Sequence, residues 1–183
     1  MVTPRVLVAF HACADHPGEV AAELAAYLRR AGVEVALHRA ATAPDPVLFA
    51  AVVLGDGRHD GAASPEIVGY VSRHVRTLNA RPCGLFEVGP AALGGAVAPS
   101  PSVPIAATGM LHGPATFRPR ITARFATTLA PTRERWSHLP GVHGHETAVR
   151  RRPRRPEPRP DDPAAVEWFA RRLLGLLVAE RAV

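Results

Sequence analysis

Residues Val6 to Val35 read VLVAFHACADHPGEVAAELAAYLRRAGVEV, and the fold turns on this stretch. Val6–Phe10 is a short apolar run of strand length. A tight polar loop, His11 to Pro17, separates it from a segment in which Val20, Leu24, Tyr27, Leu28 and Ala31 fall on one helical stripe. Pro17 suits the first turn of that helix, Arg29 and Arg30 suit its last, and Gly32 is the stop. Val33–Leu37 then opens a second strand. Strand, helix, strand in this spacing is a βαβ unit.

The same alternation continues. Ala51–Gly55, Gly84–Val88 and Val103–Ala107 are the remaining strand-length apolar runs. Most of the five runs are continuously apolar, as in a parallel sheet covered on both faces. Ser64-Pro65-Glu66 starts a helix with Ile67, Val71, Val75 and Leu78 inward, and Asp162-Pro163 starts a last one with Val166, Phe169, Leu173 and Leu177 inward. The expected architecture is α/β: a doubly wound, five-stranded parallel sheet of order 2-1-3-4-5, with an insertion before the last helix. At 183 residues the chain suffices for one such domain and not for two, so residues 1–183 are expected to form one.

Two stretches depart from the alternation. Gly89 to Pro101, GPAALGGAVAPSP, is too rich in Gly and Pro for more than a turn of helix. Residues 113–161 form the insertion. Its first part, FRPRITARFATTL, spaces Phe117, Ile121, Phe125 and Leu129 four apart beside Arg118, Arg120 and Arg124, which predicts an amphipathic helix. Such a helix would pack on its own domain or, through residues 113–136, on a second copy of the chain; its arginines would also suit an anionic membrane surface or porphyrin propionates. Residues 148–161 read as a mobile Arg/Pro-rich loop.

Charge narrows the class. The net charge is +6, yet Arg150 to Arg159 carries six Arg and one Glu, leaving +1 for the rest of the chain. That run has no interleaved aromatics, so no specific nucleic-acid partner is expected. All 22 basic residues are Arg, which fits the coding bias of a GC-rich genome. No signal peptide or membrane span is legible. Cys13 and Cys83 lie far apart and read as reduced thiols, so a cytoplasmic location is expected, with peripheral membrane contact as the variant the arginines would allow.

Three stretches carry a resemblance to a known family: VLVAFHACADHPGEVAAELAAYLRRAGVEV, then AAVVLGDGRHDGAASPEIVGYVSRHVRTLNARPCGLFEV, then VPIAATGMLHG followed by an insertion and EWFARRL. The chain resembles the flavodoxin domain family, and within it the branch that includes the menaquinone-dependent protoporphyrinogen IX dehydrogenases. The resemblance implies an FMN-linked oxidoreductase or electron carrier with a redox partner, a quinone or porphyrin among them. It places the cofactor at His11, Ala12, Cys13, Ala14, Asp15 and His16 in the first loop, at Gly57, Arg58, His59 and Asp60 in the second, and at Gly89 and Pro90 in the third.

The first loop departs from the family's Ser-Thr-x-x-Gly-x-Thr pattern. His11 and Ala12 replace two hydroxyl donors, Asp15 replaces the glycine, and Pro17 removes a backbone N–H. At roughly 1.5–3 kcal/mol for each lost charge-assisted bond, two or three losses weaken phosphate binding by about a thousandfold. His59 is the only ring in the second loop, and the third loop has none. A flavodoxin fold without FMN, serving as a binding, assembly or regulatory module, is therefore the alternative.

A third class is a cofactor-free or metal-dependent enzyme at the same crevice, with Cys13, His16 and His59 as candidate catalytic residues. His11, Cys13 and His16 are a metal-capable set, with a fourth ligand from His59, Asp60 or His112, but their spacing matches no standard zinc pattern. A polar loop is the plainer reading, and a small buried residue the plainer reading for Cys13. Cys83, at the start of a strand, reads as structural. His138, His143 and His145 read as solvated, and His38 and His74 carry no signal.

Overall fold

The computed structural model describes residues 3–12, 17–57, 63–90, 116–127 and 163–181. They form β1 (Arg5–Phe10), α1 (Pro17–Arg30), β2 (Glu34–Arg39), β3 (Ala51–Gly57), α2 (Pro65–Asn79), β4 (Cys83–Pro90), β5 (Ile121–Thr127) and α3 (Pro163–Arg181), with two short 3-10 turns between β2 and β3. The strands make one sheet in the order β2-β1-β3-β4-β5, and every neighbouring pair is parallel. This order, with helices on both faces, is the flavodoxin-like arrangement, and it places the reversal of strand order between β1 and β3.

Local chemistry accounts for the helix boundaries. Gly32, at φ +81°, takes the left-handed conformation that ends α1 and turns the chain into β2. Ser64 caps α2: its hydroxyl accepts from the Ile67 N–H at 3.3 Å, with Pro65 following as the first helical residue.

Each face of the sheet has its own core. On the α1/α3 face, Val6, Val8, Val53, Phe86, Val88 and Phe125 pack against Val20, Leu24, Leu28, Phe169 and Leu173. Phe86, Phe125 and Phe169 meet edge to face, with centroids 5.7 to 6.4 Å apart. Gly55 makes room for them, since a Cβ there would lie 2.2 Å from the Phe86 ring. On the α2 face, Leu7, Val52, Leu54, Cys83 and Leu85 pack against Ile67, Tyr70, Val71 and Leu78. Burial pushes the Cys83 thiol up, so it is the protonated, structural residue its position implied.

One expectation is overturned. The segment read as an amphipathic helix over Phe117–Leu129 is instead strand β5 through Thr127. A spacing of four is two strand periods as well as about one helical turn, so the stripe alone did not discriminate. The burial pattern does: Ile121, Ala123 and Phe125 are buried, with Thr122 and Arg124 between them less so. The parallel ladder to β4 supplies the long-range pairing that decides it, from Gly84↔Ile121 to Pro90↔Thr127. Asn79, at the end of α2, holds the entry to β5, its side chain donating to Thr116 O and accepting from Arg118 N–H, each at 2.8 Å.

The arginines of this segment thus line no helix. Arg120 pairs with Glu180 at 2.7 Å, and Arg124 with Glu87 at 3.1 Å. The fifth place in the sheet, expected at 103–107, belongs to 121–127, inside the stretch read as an insertion. Residues 103–107 and 148–161 lie outside the described residues.

Candidate functional site

Ligands of doubly wound sheets lie beyond the carboxyl ends of the strands, where the strand order reverses. Here that edge of the sheet carries His11 and Ala12 after β1, Gly57 at the end of β3, and Gly89 and Pro90 at the end of β4. Five of the twelve cofactor-site residues expected from the sequence are thereby gathered at one edge. Cys13, Ala14, Asp15, His16, Arg58, His59, Asp60 and His112 lie outside the described residues, and with them the candidate catalytic and metal sets. Among the described residues no cluster of His, Cys, Asp and Glu is arranged to hold a metal ion.

Strand register reveals a feature the sequence reading missed. The His11 N–H donates to Gly55 O at 2.8 Å, extending the β1–β3 ladder by one residue beyond Phe10↔Gly55, so that His11 aligns with Asp56. Asp56 aligns with Glu87 on β4, and Glu87 with Arg124 on β5. Side chains alternate between faces. Leu7, Ala9, Leu54 and Leu85 belong to the core on the α2 side, so the four residues two positions or a few further along share that side. His11, Asp56, Glu87 and Arg124 therefore form one polar row across four strands, directly above the apolar core.

Each member has a distinct environment. His11 Nδ1 lies 3.0 Å from Glu66 Oε2, in the first turn of α2. Asp56 is 3% exposed; its Oδ2 accepts from the Ser64 N–H at 2.9 Å, tying the end of β3 to the α2 cap. Its Oδ1 is buried with no hydrogen-bond partner. Burial raises its pKa, opposed by hydrogen bonds from Ser64, by the His11 charge and by the Gly57 N–H. Glu87, 4% exposed, accepts from Arg124 Nη2 at 3.1 Å, while Arg124 Nε is buried without a partner.

The signal for these residues was faint but present. An acid interrupts each of two apolar strands, AVVLGDG and CGLFEVGP, and an arginine interrupts ITARFAT. Their alignment was invisible while the third of these segments was read as a helix.

The described residues fit one end of a flavin nucleotide and not the other. At the ring end, Gly57 and Gly89 are buried strand ends without side chains, and Asp56 offers an unpartnered polar oxygen. At the phosphate end, Pro17 lacks an N–H, Glu19 stands in the first turn of α1, and His11 is engaged by Glu66. Among the described residues no helix is long and apolar enough to cross a membrane.

No protein-family model and no curated protein matches the chain. Solved structures do resemble it. A flavodoxin from Streptococcus pneumoniae is 18% identical over 48% of this chain and 63% of its own, with a TM-score of 0.41. A short-chain flavodoxin associated with a non-canonical PDU bacterial microcompartment is 21% identical over 51% and 65%, with a TM-score of 0.42. A Fusobacterium nucleatum flavodoxin bound to flavin mononucleotide is 10% identical over 49% and 54%, with a TM-score of 0.41. The match spans less than two thirds of the length of each of these flavodoxins, and the flavodoxin-like fold of this chain rests on its own strand order and parallel pairing.

Proposed function

We propose that this chain is a flavodoxin-like, flavin-linked redox protein, an oxidoreductase or electron carrier of the kind that its resemblance to the protoporphyrinogen dehydrogenase branch implies. The observation that carries the reading is the reversal of strand order between β1 and β3, which brings the ends of β3 and β4, at Gly57 and Gly89, to one edge of the sheet with Asp56 beside them. FMN is the cofactor that the resemblance implies, and when bound a flavin supplies the electron-transfer chemistry. The chain's own part is orientation. His11 and Glu66 brace β1 against α2, and Asp56 and Ser64 fix the start of α2 beside the end of β3. A quinone or porphyrin as redox partner belongs to the same proposal.

The test is the visible spectrum of the purified full chain, before and after incubation with flavin and gel filtration. A flavin spectrum that co-elutes with the protein supports the reading. A colourless protein that ignores flavin contradicts it and supports a second reading, a flavin-free binding or regulatory module on the same fold. The observation favouring that second reading is the His11–Glu66 contact, which occupies the residue standing first in the phosphate loop.

A further inference from the structure

We infer that the amino-terminal edge of the sheet, with the exposed Val47–Leu48 turn at its tip, docks the protein on an anionic lipid surface. The inference stands apart from the flavin reading, because this edge lies at the opposite end of the strands from the candidate ligand site. The turns that reach it, residues 31–33, 43–50, 80–82 and 116–120, are all described.

Val47 and Leu48 are 53% and 61% exposed, and among the other described large apolar side chains only Val178 stands out in the same way. A lone exposed apolar residue needs no explanation. This pair is held out by a built turn. Asp45 accepts from the Val47 N–H at 2.9 Å, Pro46 is the first residue of the 3-10 turn, and the Tyr70 hydroxyl donates to Pro44 O at 2.8 Å. Behind the pair, the buried Phe49 ring lies under Arg5, whose Cζ is 5.1 Å from the ring centroid. A tip fixed in this way loses little conformational freedom on docking.

Arginines collect at the same edge. Arg81 donates to Phe49 O, and Arg76 lies in the last turn of α2. Arg118 is set beside them by its N–H bond to Asn79, and Arg29 and Arg30 close α1. Among the described residues none of these five has an acid partner. The described acids of the edge are Glu34, matched by Arg5 at 3.0 Å, Glu180, matched by Arg120 at 2.7 Å, and Asp45 in the turn. Five arginines against Asp45 leave a surplus of four positive charges. The three helix C-termini at this edge offset only about half a charge each.

These cations are spread over the ends of α1 and α2 and the entries to β4 and β5, whereas recognition of a single phosphate group needs them convergent. A bilayer matches the spread. Its anionic headgroups attract each arginine, and an apolar tip enters the headgroup boundary without needing a complementary pocket. Docked in this way, the protein turns its carboxyl edge away from the bilayer.

The experiment is co-sedimentation with vesicles of phosphatidylcholine alone and of phosphatidylcholine with about one third phosphatidylglycerol, at low and at high salt. It uses the full chain, and the full chain with Arg150, Arg151, Arg152, Arg154, Arg155 and Arg159 all replaced by Gln, which removes the Arg/Pro-rich run as a second source of charge. Both are expected to bind the anionic vesicles, to release them as salt rises, and to ignore phosphatidylcholine. In the run-replaced chain, Val47→Ser with Leu48→Ser should weaken binding about tenfold without changing charge, and Arg76→Gln with Arg118→Gln should weaken it about tenfold at low salt. Circular dichroism checks that these exposed-site variants keep the fold.

Loss of vesicle binding on replacing the Arg/Pro-rich run alone would overturn the inference, since that run would then be the lipid contact. Binding that ignores the Val47/Leu48 or the Arg76/Arg118 variants would overturn it as well. Binding to duplex DNA as tight as to the vesicles would mark a general polyanion face instead of a lipid one. Self-association on gel filtration that the Val47/Leu48 variant abolishes, without vesicle binding, would assign the turn to a second copy of the chain. None of these results bears on whether flavin is bound.

Discussion

The two faces of the sheet are built from the same strands, yet they end differently. On the α1/α3 face, apolar packing continues to the carboxyl end, where Phe86, Val88 and Phe125 meet Phe169. On the α2 face, apolar packing stops at Leu54 and Leu85, and the next residues along β3 and β4 on that face are Asp56 and Glu87. One face is organised for stability throughout. The other carries buried ionisable groups where a ligand of this fold would lie, and buried charge is retained there at a cost that apolar residues would avoid.

That contrast can be broken by substitution, and the largest effect belongs to the apolar face. Phe169→Ala removes the ring that packs on Gly84, Phe86 and Phe125 and should cost about 3–5 kcal/mol in denaturant unfolding. A loss under about 1 kcal/mol would mean that this face is not the stabilising one.

Arg124→Ala leaves Glu87 buried without its partner and should cost about 3 kcal/mol, toward the low end for a buried pair because the Arg124 side chain is 28% exposed. The double variant Glu87→Leu with Arg124→Met should recover most of that loss, since apolar replacement of such a pair is often neutral or stabilising. If the double variant is as unstable as the single one, the pair is itself a source of stability and the contrast between the faces is weaker than described.

Ser64→Ala removes the α2 cap and should cost about 1 kcal/mol by the same unfolding measurement, with the Asp56 bond to the Ser64 backbone retained.

Asp56→Asn is read by its sign. A carboxyl group whose pKa is raised on folding binds its proton more tightly in the folded state. Its unfavourable contribution is therefore absent below the unfolded value, near 3.8, and grows as pH rises through the folded one. Relative to the parent, Asp56→Asn should gain stability between acid and neutral pH and show no gain at the acid end. A gain that grows toward low pH would mean that Asp56 is stabilised as the carboxylate.

Much of the sheet was legible because its signals are local. The β1–α1–β2 unit, the Gly32 stop and the Ser64 cap each depend on a few neighbouring residues, and the structure has them as read. Strand β5 was not, because the spacing of Phe117, Ile121 and Phe125 satisfies both periods and only pairing with β4 separates them. The polar row was hidden for the same reason: its members sit 31 to 45 residues apart along the chain from His11 to Arg124 and become neighbours only through register. His11 was expected at the site from its place after β1, whereas its partner Glu66 was read only as part of a helix start.

The central claim, that the carboxyl edge at the β1/β3 reversal is the ligand site, is tested most directly by amide chemical-shift mapping of the full chain titrated with FMN. The account predicts saturable shifts centred on His11, Ala12, Gly57, Ser64 and Gly89, with β2 and the C-terminal half of α3 unmoved. Saturable shifts centred on another surface, or no shifts at all, would contradict it.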